Sequence, residues 1–277
     1  MLQKKDITVI IPVHIWNEDV KKMFTEAIGS VSSEVNLIIA TTEDSGFEYE
    51  FDASEGVTCD VVKSNDGSSF QHLVNLGVEN VKTDWFSILE FDDEYSPIWF
   101  DNFIKYQEYN QQYNIFMPLN DLYNVEGGKD EFVGNGNEAV MAASFSDEIG
   151  VIDEKSLEDY FSYYLPGSVI RTDTFKELGG LKEGIKLTFW YEFMLRAAHK
   201  GEKMYVVPKI GYAHVLGREG SLMQEYRNTI DEKESKFWFE QAKKQSYHKT
   251  DKNVKYEPNK KEEKEEIVSE EELNLEK

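Results

Sequence analysis

The segment FSILEFDDEYSP, residues 86–97, passes from an apolar run into a cluster of acids and is the most informative part of the sequence. Its first half predicts a buried strand from Trp85 to Phe91, because aromatic and β-branched residues are enriched in strands. Side chains alternate along a strand, so Glu90 and Asp92 are expected on one face. Paired carboxylates are the ligands that hard cations such as Mg²⁺ and Mn²⁺ prefer.

The residues before this segment alternate between strands and helices. Predicted strands cover Ile7 to Pro12, Val35 to Thr41 and Thr58 to Val62, and predicted helices cover Glu18 to Val31 and Ser69 to Val81. Such alternation implies an α/β fold with a parallel or mostly parallel sheet flanked by helices, which binds ligands at the carboxyl ends of its strands. The acidic cluster follows one of those ends.

The second half of the chain is less regular. The pattern predicts a helix from Pro97 to Tyr113, a loop from Asn120 to Asn137, a strand from Glu138 to Phe145, a helix from Leu187 to His199, and a strand from Met204 to Val207 that Pro208 ends. We expect one domain over residues 1–245. The remaining 32 residues, 246–277, are dominated by Lys and Glu and predict a disordered, charged tail.

Charge and cysteine usage exclude several classes of protein. The formal net charge of −23 argues against a protein that neutralises many nucleic-acid phosphates, because that affinity comes from Lys and Arg. The single cysteine, Cys59, allows neither an intrachain disulfide nor a paired zinc site. The apolar run Ile7 to Val13 is too short to span a bilayer, so we expect a cytoplasmic protein without a membrane span.

Three segments, in this order, resemble the large inverting family 2 type of GT-A glycosyltransferases. They are the strand and turn Val9 to Val13, the acidic segment 86–97, and a late group formed by Gly167 to Arg171, Phe175, Gly179 to Leu181, Leu195-Arg196 and Tyr205 to Pro208. The acidic segment is also similar to glycosyltransferase-like proteins of large tailed phages. The resemblance covers roughly residues 5–222 and implies a GT-A, Rossmann-like fold.

The resemblance implies a metal-dependent enzyme that moves a sugar from a nucleoside diphosphate sugar, with UDP favoured, to an acceptor hydroxyl with inversion. Asp92 would bind Mn²⁺ or Mg²⁺, and Glu90, which stands where the family usually has an Asp, would face the ribose or a metal-bound water. His214 is a second candidate metal ligand, because neutral imidazole suits Mn²⁺. Arg218 could clamp the diphosphate as a planar fork. The acceptor could be a glycan, a protein or a modified nucleic acid.

The sequence departs from the family at the catalytic base and at the nucleotide pocket. Phe189 and Trp190 fill the positions of the usual Glu-Asp pair. The nearest acid is Glu192, which is either the base that accepts the acceptor proton or half of an i,i+4 ion pair with Arg196.

The candidate contacts of the nucleotide are spread over the ends of two strands. Pro12 and Val13 are plausible walls for the base, Thr41 or Thr42 could hydrogen-bond it, and Asp44 could reach it from one turn later.

Two other functions stay open at this level. The missing Glu-Asp pair favours a catalytically inactive glycosyltransferase-like module that binds glycans or proteins, or has a structural role. A nucleotidyltransferase would need a Gly/Arg-rich phosphate loop after the first strand, and residues 14–17, HIWN, do not form one. The sequence names neither the sugar, nor the acceptor, nor the oligomeric state.

Overall fold

The computed structural model describes residues 2–51, 57–126, 129–144, 147–250 and 254–258. The strands are β1 Ile7–Val13, β2 Asn36–Thr42, β3 Cys59–Ser64, β4 Trp85–Ile88, β5 Glu94–Tyr95, β6 Ile115–Glu126, β7 Lys129–Gly136, β8 Val151–Ile152, β9 Val169–Arg171 and β10 Met204–Leu216. The helices are α1 Glu18–Ser30, α2 Phe70–Asn80, α3 Trp99–Tyr109, α4 Glu154–Asp159, α5 Thr172–Leu178, α6 Phe189–His199, α7 Leu222–Thr229 and α8 Glu232–Gln245.

The described strands form one ten-stranded sheet with the order β3-β2-β1-β4-β9-β6-β10-β5, to which β7 and β8 add at the side of β6 and of β10. Strands β3, β2, β1 and β4 run parallel, as do β6 and β10. Strand β9 is antiparallel to both of its neighbours, β4 and β6, so the sheet as a whole is mixed. The predicted α/β fold with flanking helices is confirmed.

Both faces of the sheet are covered, as the near-continuous apolar strand β1 predicts. Ile10 packs in a core with helices α2, α5, α6 and α8, whereas Val9 and Ile11 pack on the opposite side with α1 and α3. Strand β1 is buried throughout, and the chain first becomes exposed at His14, directly after the carboxyl end of the strand.

The predicted loop from Asn120 to Asn137 is wrong. Strands β6 and β7 form an antiparallel hairpin there, with Asn120 opposite Gly136 and Glu126 opposite Lys129. Local composition favoured a loop, but pairing of β6 with β10 and with β7 supplies backbone partners that outweigh a weak local preference. The predicted strand from Glu138 is also wrong. Residues Glu138–Met141 form a 3-10 turn after Asn137, which has a left-handed backbone with φ 67°.

Two strand ends differ from the prediction. Strand β4 ends at Ile88, and residues 91–92 lie in a turn in which the Asp93 N–H donates to the Glu90 carbonyl at 3.0 Å. The acids are therefore grouped by a turn and not by the alternation of a strand. Strand β10 continues through Pro208 to Leu216, because the register with β6 shifts between Val206 and Ile210 and such an irregularity tolerates a proline.

Packing continues beyond the predicted domain end at residue 245. Ser246 is buried, the ring of Tyr247 stacks on His199 with centroids 4.3 Å apart, and Tyr256 lies against Phe237. The predicted disordered tail falls largely on residues 251–253 and 259–277, which lie outside the described residues. Among the helices that the structure describes, each is too short or too polar to cross a bilayer.

Candidate functional site

A cleft of about 640 Å³ opens at the carboxyl ends of β1 and β4, which is the size of a site for a small organic ligand. Pro12 and His14 line it from the end of β1, and Glu90 and Asp92 line it from the turn after β4. His214 and Arg218 come from the end of β10 and the loop after it. Residues of α2, α6, α7 and α8 and of the segment 161–166 line the remaining sides.

Glu90, Asp93 and His214 form a cluster whose candidate ligand atoms lie within 4.8 Å of one another. Asp93 lies behind the other two. Its Oδ2 is 2.7 Å from His214 Nδ1 and its Oδ1 accepts the Val215 N–H at 2.8 Å, and only 1% of its side chain is exposed. Asp93 therefore fixes the end of β10 against the turn after β4.

The contact with Asp93 determines which atom of His214 remains for a ligand. Because Nδ1 is bound to the carboxylate, Nε2 is the remaining ring nitrogen, and His214 itself lines the cleft. A carboxylate behind a histidine is the arrangement that orients a metal-ligating imidazole. Tyr164 packs edge-on to the His214 ring, with centroids 5.6 Å apart, and further restricts its position.

Asp92 is paired with a cation. Its Oδ2 accepts a hydrogen bond from Arg218 Nε at 2.5 Å, and the guanidinium carbon lies 5.3 Å from the centroid of Phe91. Both side chains are mostly buried, so the pair is stronger than an exposed one. The structure thus brings the predicted phosphate-binding arginine and the predicted metal ligand together.

The combined effect of burial and neighbouring charges is to raise the pKa values of Glu90, Asp92 and His214. Burial, with the charges of Asp93 and Asp92, raises the pKa of Glu90 to about 8, although His214 and Arg218 oppose the shift. Burial disfavours the charged form of His214, but Asp93 outweighs it by charge and hydrogen bond and raises its pKa to about 9. Burial also raises the pKa of Asp92. Three acids held together in this way favour the binding of a cation.

The donor set fits a divalent cation. Glu90, Asp92 and His214 line the cleft, but the ligand atoms that lie within 4.8 Å of one another are those of Glu90, Asp93 and His214, whereas Asp92 is held by Arg218. This combination of carboxylate oxygens and an imidazole nitrogen suits Mn²⁺ or Mg²⁺. The pKa of Glu90 stays raised to about 8 although His214 and Arg218 both lower it, so the cluster of acids can accept further positive charge.

Tyr212 and Gly167 support the turn that carries the acids. The Glu90 N–H donates to the Tyr212 hydroxyl at 3.1 Å. A Cβ atom at Gly167 would lie 2.5 Å from the Tyr212 ring, and the Gly167 backbone has φ +78°, so glycine is required on both grounds. The sequence showed Gly167 only as part of the family resemblance.

The structure argues against Glu192 as the base. Its side chain is fully buried, both of its oxygens accept hydrogen bonds from Arg196, and Lys182 Nζ lies 2.9 Å from Oε1. It does not line the cleft. The structure contains the i,i+4 ion pair of Glu192 with Arg196 that the sequence also allowed. A buried carboxylate needs such partners, and Arg196 and Lys182 supply them.

Some of the predicted nucleotide contacts lie outside the cleft. Pro12 lines it, but Val13 is fully buried and its carbonyl accepts the hydroxyl of Thr41, which is itself fully buried. Thr42 is buried at the same strand end, and Asp44 is exposed on the turn after β2, outside the cleft lining. Thr41 is thus used to hold β1 and β2 together.

Sequence reasoning missed three residues of the site. His14 lines the cleft next to Phe91, with ring centroids 5.8 Å apart, and burial and the Arg218 charge lower its pKa. Its position directly after β1, at the carboxyl end of a predicted strand, could have indicated that it belongs to the site. Nothing in the sequence indicates that Asp93 lies behind His214, because only the pairing of β5 with β10 brings the two residues together. Glu225 on α7 is an exposed acid of the cleft, and no motif marks it.

A second polar cluster, at the end of β3, is structural. Ser64 Oγ lies 2.8 Å from His72 Nε2, and His72 Nδ1 lies 2.9 Å from Glu183 Oε1, which is the order of a nucleophile, a base and an orienting acid. However, Ser64 Oγ accepts the N–H groups of Asp66 and Gly67, and the residue is buried. The serine oxygen is therefore committed to the turn.

No protein-family model matches the sequence, and no curated protein is significantly similar to it. Solved structures do match. A structure of S. aureus TarS 1–349 in complex with UDP-GlcNAc has a TM-score of 0.55 and 13% identity, over 79% of this chain and 60% of that one. The TarS 1–349 complex with UDP has a TM-score of 0.51 and 12% identity, over 83% and 68%. A further TarS 1–349 structure has a TM-score of 0.52 and 11% identity, over 87% and 80%. At these identities the likeness shows the fold, and the chain therefore has the mixed α/β fold of the GT-A glycosyltransferases.

Proposed function

We propose that this protein is a glycosyltransferase that uses a nucleoside diphosphate sugar, UDP-linked in preference, and a divalent cation. The observation that carries the proposal is the grouping of Glu90, Asp92 and His214 in one cleft at the carboxyl ends of the strands. On an open α/β sheet that is where ligands bind. The similarity to TarS structures that contain UDP-GlcNAc or UDP supports the choice of donor.

Glu90, Asp92 and His214 would hold Mn²⁺ or Mg²⁺, and Asp93 would orient His214 from behind. The cation would neutralise charge on the departing diphosphate, which is the main electrostatic demand of the reaction. Arg218 would contribute a second positive charge at the diphosphate once a metal ion takes over Asp92, since its guanidinium already lies within the cleft. The nucleotide would extend from there towards Pro12 and His14.

An inverting transfer needs a group that accepts the proton of the attacking hydroxyl. Glu192 is enclosed by cations, and Glu90 and Asp92 are assigned to the metal. Among the described residues that line the cleft, Glu225 is the remaining carboxylate, and we assign the role of base to it. Glu225→Gln should lower transfer by roughly 10²-fold to 10⁴-fold and leave UDP affinity nearly constant.

The test of the function is release of UDP from UDP-sugars in the presence of Mn²⁺, followed with and without candidate acceptors. Slow release without an acceptor is expected, because water can replace the acceptor. Asp92→Ala should abolish it, whereas Asp173→Ala, an exposed acid in the first turn of α5, should not. Turnover in Asp92→Ala equal to that of the wild type would refute the mechanism. Nucleotide-free binding of glycans without any turnover would favour the inactive module.

A further inference from the structure

The cleft has an aromatic end in addition to its acidic end. Two groups of rings line it. Phe70, Phe189 and Trp190 lie with centroids 5.0 to 5.7 Å apart. Phe161 lies 4.8 Å from Phe239 and 6.4 Å from Tyr191. Two of these six residues, Phe189 and Trp190, occupy the positions at which the family that the sequence resembles usually has a Glu-Asp pair. Aromatic side chains therefore take the place of two acids there.

The exposure of Phe161 is unusual for a residue in such a group. Phe161 is 55% exposed although the rings of Phe239 and Tyr191 lie close to it. Trp190, Phe70 and Phe239 are only half-buried. Exposed aromatic surface concentrated within a concave site is a feature of binding sites and not of a folded core.

Charge at the cleft disfavours a polyanionic ligand. The charged side chains among its described lining residues are Glu90, Asp92 and Glu225 on the acidic side and Arg218, Arg227 and His214 on the basic side. Two of the three basic groups are already held by carboxylates, Arg218 by Asp92 and His214 by Asp93. The chain as a whole carries a net charge of −23. A nucleic acid or another chain of phosphates would need many more cations.

Polar groups lie beside the rings. Ser162, which follows Phe161 in the sequence, and Ser235, which precedes Phe239 by one turn of α8, also line the cleft. A pyranose ring has an apolar face of C–H groups and a rim of hydroxyls. The negatively polarised face of an aromatic ring attracts those C–H groups, and the serines can hydrogen-bond the rim.

We propose that the aromatic end of this cleft binds the acceptor and that the acceptor is an uncharged glycan, whose sugar ring stacks on Phe161. This inference rests on the proposed function, because it places the acceptor in the same cleft as the donor. A protein acceptor, or an acceptor built on phosphates, is the alternative that the experiment must separate.

The experiment measures binding of the wild-type protein to immobilised neutral oligosaccharides. Heparin, single-stranded DNA and Ser/Thr-rich peptides are the other immobilised ligands. Each is tested without nucleotide and with UDP and Mn²⁺. Binding to a subset of neutral oligosaccharides is expected. Phe161→Ala should weaken that binding about tenfold, which corresponds to loss of one stacked aromatic contact. Phe161→Trp, which keeps an aromatic face, should retain it.

Phe132→Ala is the matched control, since Phe132 is 52% exposed on β7 and does not line the cleft. It should bind as the wild type does. Binding only to heparin, DNA or peptides, no binding to any neutral oligosaccharide, or undiminished binding in Phe161→Ala would each overturn the inference. Affinity of the wild type for UDP with Mn²⁺, measured separately, reports on the proposed function alone, so the two failures are distinguishable.

Discussion

Glu90, Asp92 and Asp93 are three acids within four positions, and each has a different environment. Asp93 is hydrogen-bonded to His214 and to the backbone of Val215, Asp92 is paired with Arg218, and Glu90 has no cation in direct contact among the ion pairs of the described residues. The sequence predicted that this segment is the functional one. The family resemblance assigned roles to Asp92 and Glu90, but nothing in the sequence indicated the role of Asp93, because that depends on which acid the end of β10 contacts.

The pKa values of Glu90 and His214 predict how the metal-free protein responds to pH. Both are raised in the folded state, to about 8 from 4.5 for Glu90 and to about 9 from 6.5 for His214. The folded form therefore binds more protons than the unfolded form, and the free energy of unfolding should fall as pH rises from about 5 to about 9. Urea unfolding over this range checks the sign.

Metal binding should show the opposite dependence on pH. Mn²⁺ must displace a proton from Glu90 and one from His214, whose pKa values are raised to about 8 and about 9, so its affinity should rise between about pH 6 and pH 9. Calorimetry in two buffers can measure the proton release. Glu90→Gln should weaken binding and remove the part of this dependence that comes from Glu90, whereas the part that comes from His214 remains. A Mn²⁺ affinity that falls with rising pH would contradict the assignment of Glu90 as a ligand.

Glu192→Gln separates a structural role from a catalytic one. The change leaves the buried cations Arg196 and Lys182 without their acid, so we expect the free energy of unfolding to fall by about 3–5 kcal/mol. Glu177→Gln, exposed on α5, should have an effect below about 0.5 kcal/mol. Wild-type stability combined with lost turnover in Glu192→Gln would restore the residue as the base.

Among the elements, the regular ones were predictable and the irregular ones were not. Helix α1 follows from its apolar spacing and from Asn17, whose side chain accepts the Val20 N–H at its start. Strands β1 and β2 follow from continuous apolar runs. The hairpin of β6 and β7 was missed because its Asn, Gly and acidic residues have low strand preference and are held in place by pairing.

The turn before β9 is an element whose sequence requirement can be tested. Gly167→Ala introduces both a strained left-handed backbone and a contact with Tyr212, and should cost about 2–4 kcal/mol of stability in total. Gly201→Ala has a similar backbone, φ +85°, but no neighbour within 4 Å, and should cost only about 1 kcal/mol. Chemical unfolding of both variants isolates the packing contribution, and equal losses would contradict the close approach.

For the molecule as a whole, the α/β fold and the place of the site were predictable, whereas the exact set of site residues was not. Glu90, Asp92, His214 and Arg218 meet in one cleft as expected. Thr41 and Glu192 do not take part, because tertiary packing gives them other partners, the Val13 carbonyl and two buried cations. The spacing of Glu192 and Arg196 allowed their ion pair, but the complete burial of that pair and the approach of Lys182 leave no trace in local patterns. The cytoplasmic location stays a prediction.

The most direct test of the central claim is thermal unfolding with UDP, GDP and other nucleotides, each with and without Mn²⁺, on the wild type and on Asp92→Ala. A ligand at about a hundred times its dissociation constant adds roughly 2.7 kcal/mol, which corresponds to a rise in Tm of about 5 to 10 °C for a domain of this size. We predict such a rise for UDP in the wild type, only with Mn²⁺, and none for Asp92→Ala. A wild-type Tm that no nucleotide changes, or a Mn²⁺-dependent rise that persists in Asp92→Ala, would contradict the account.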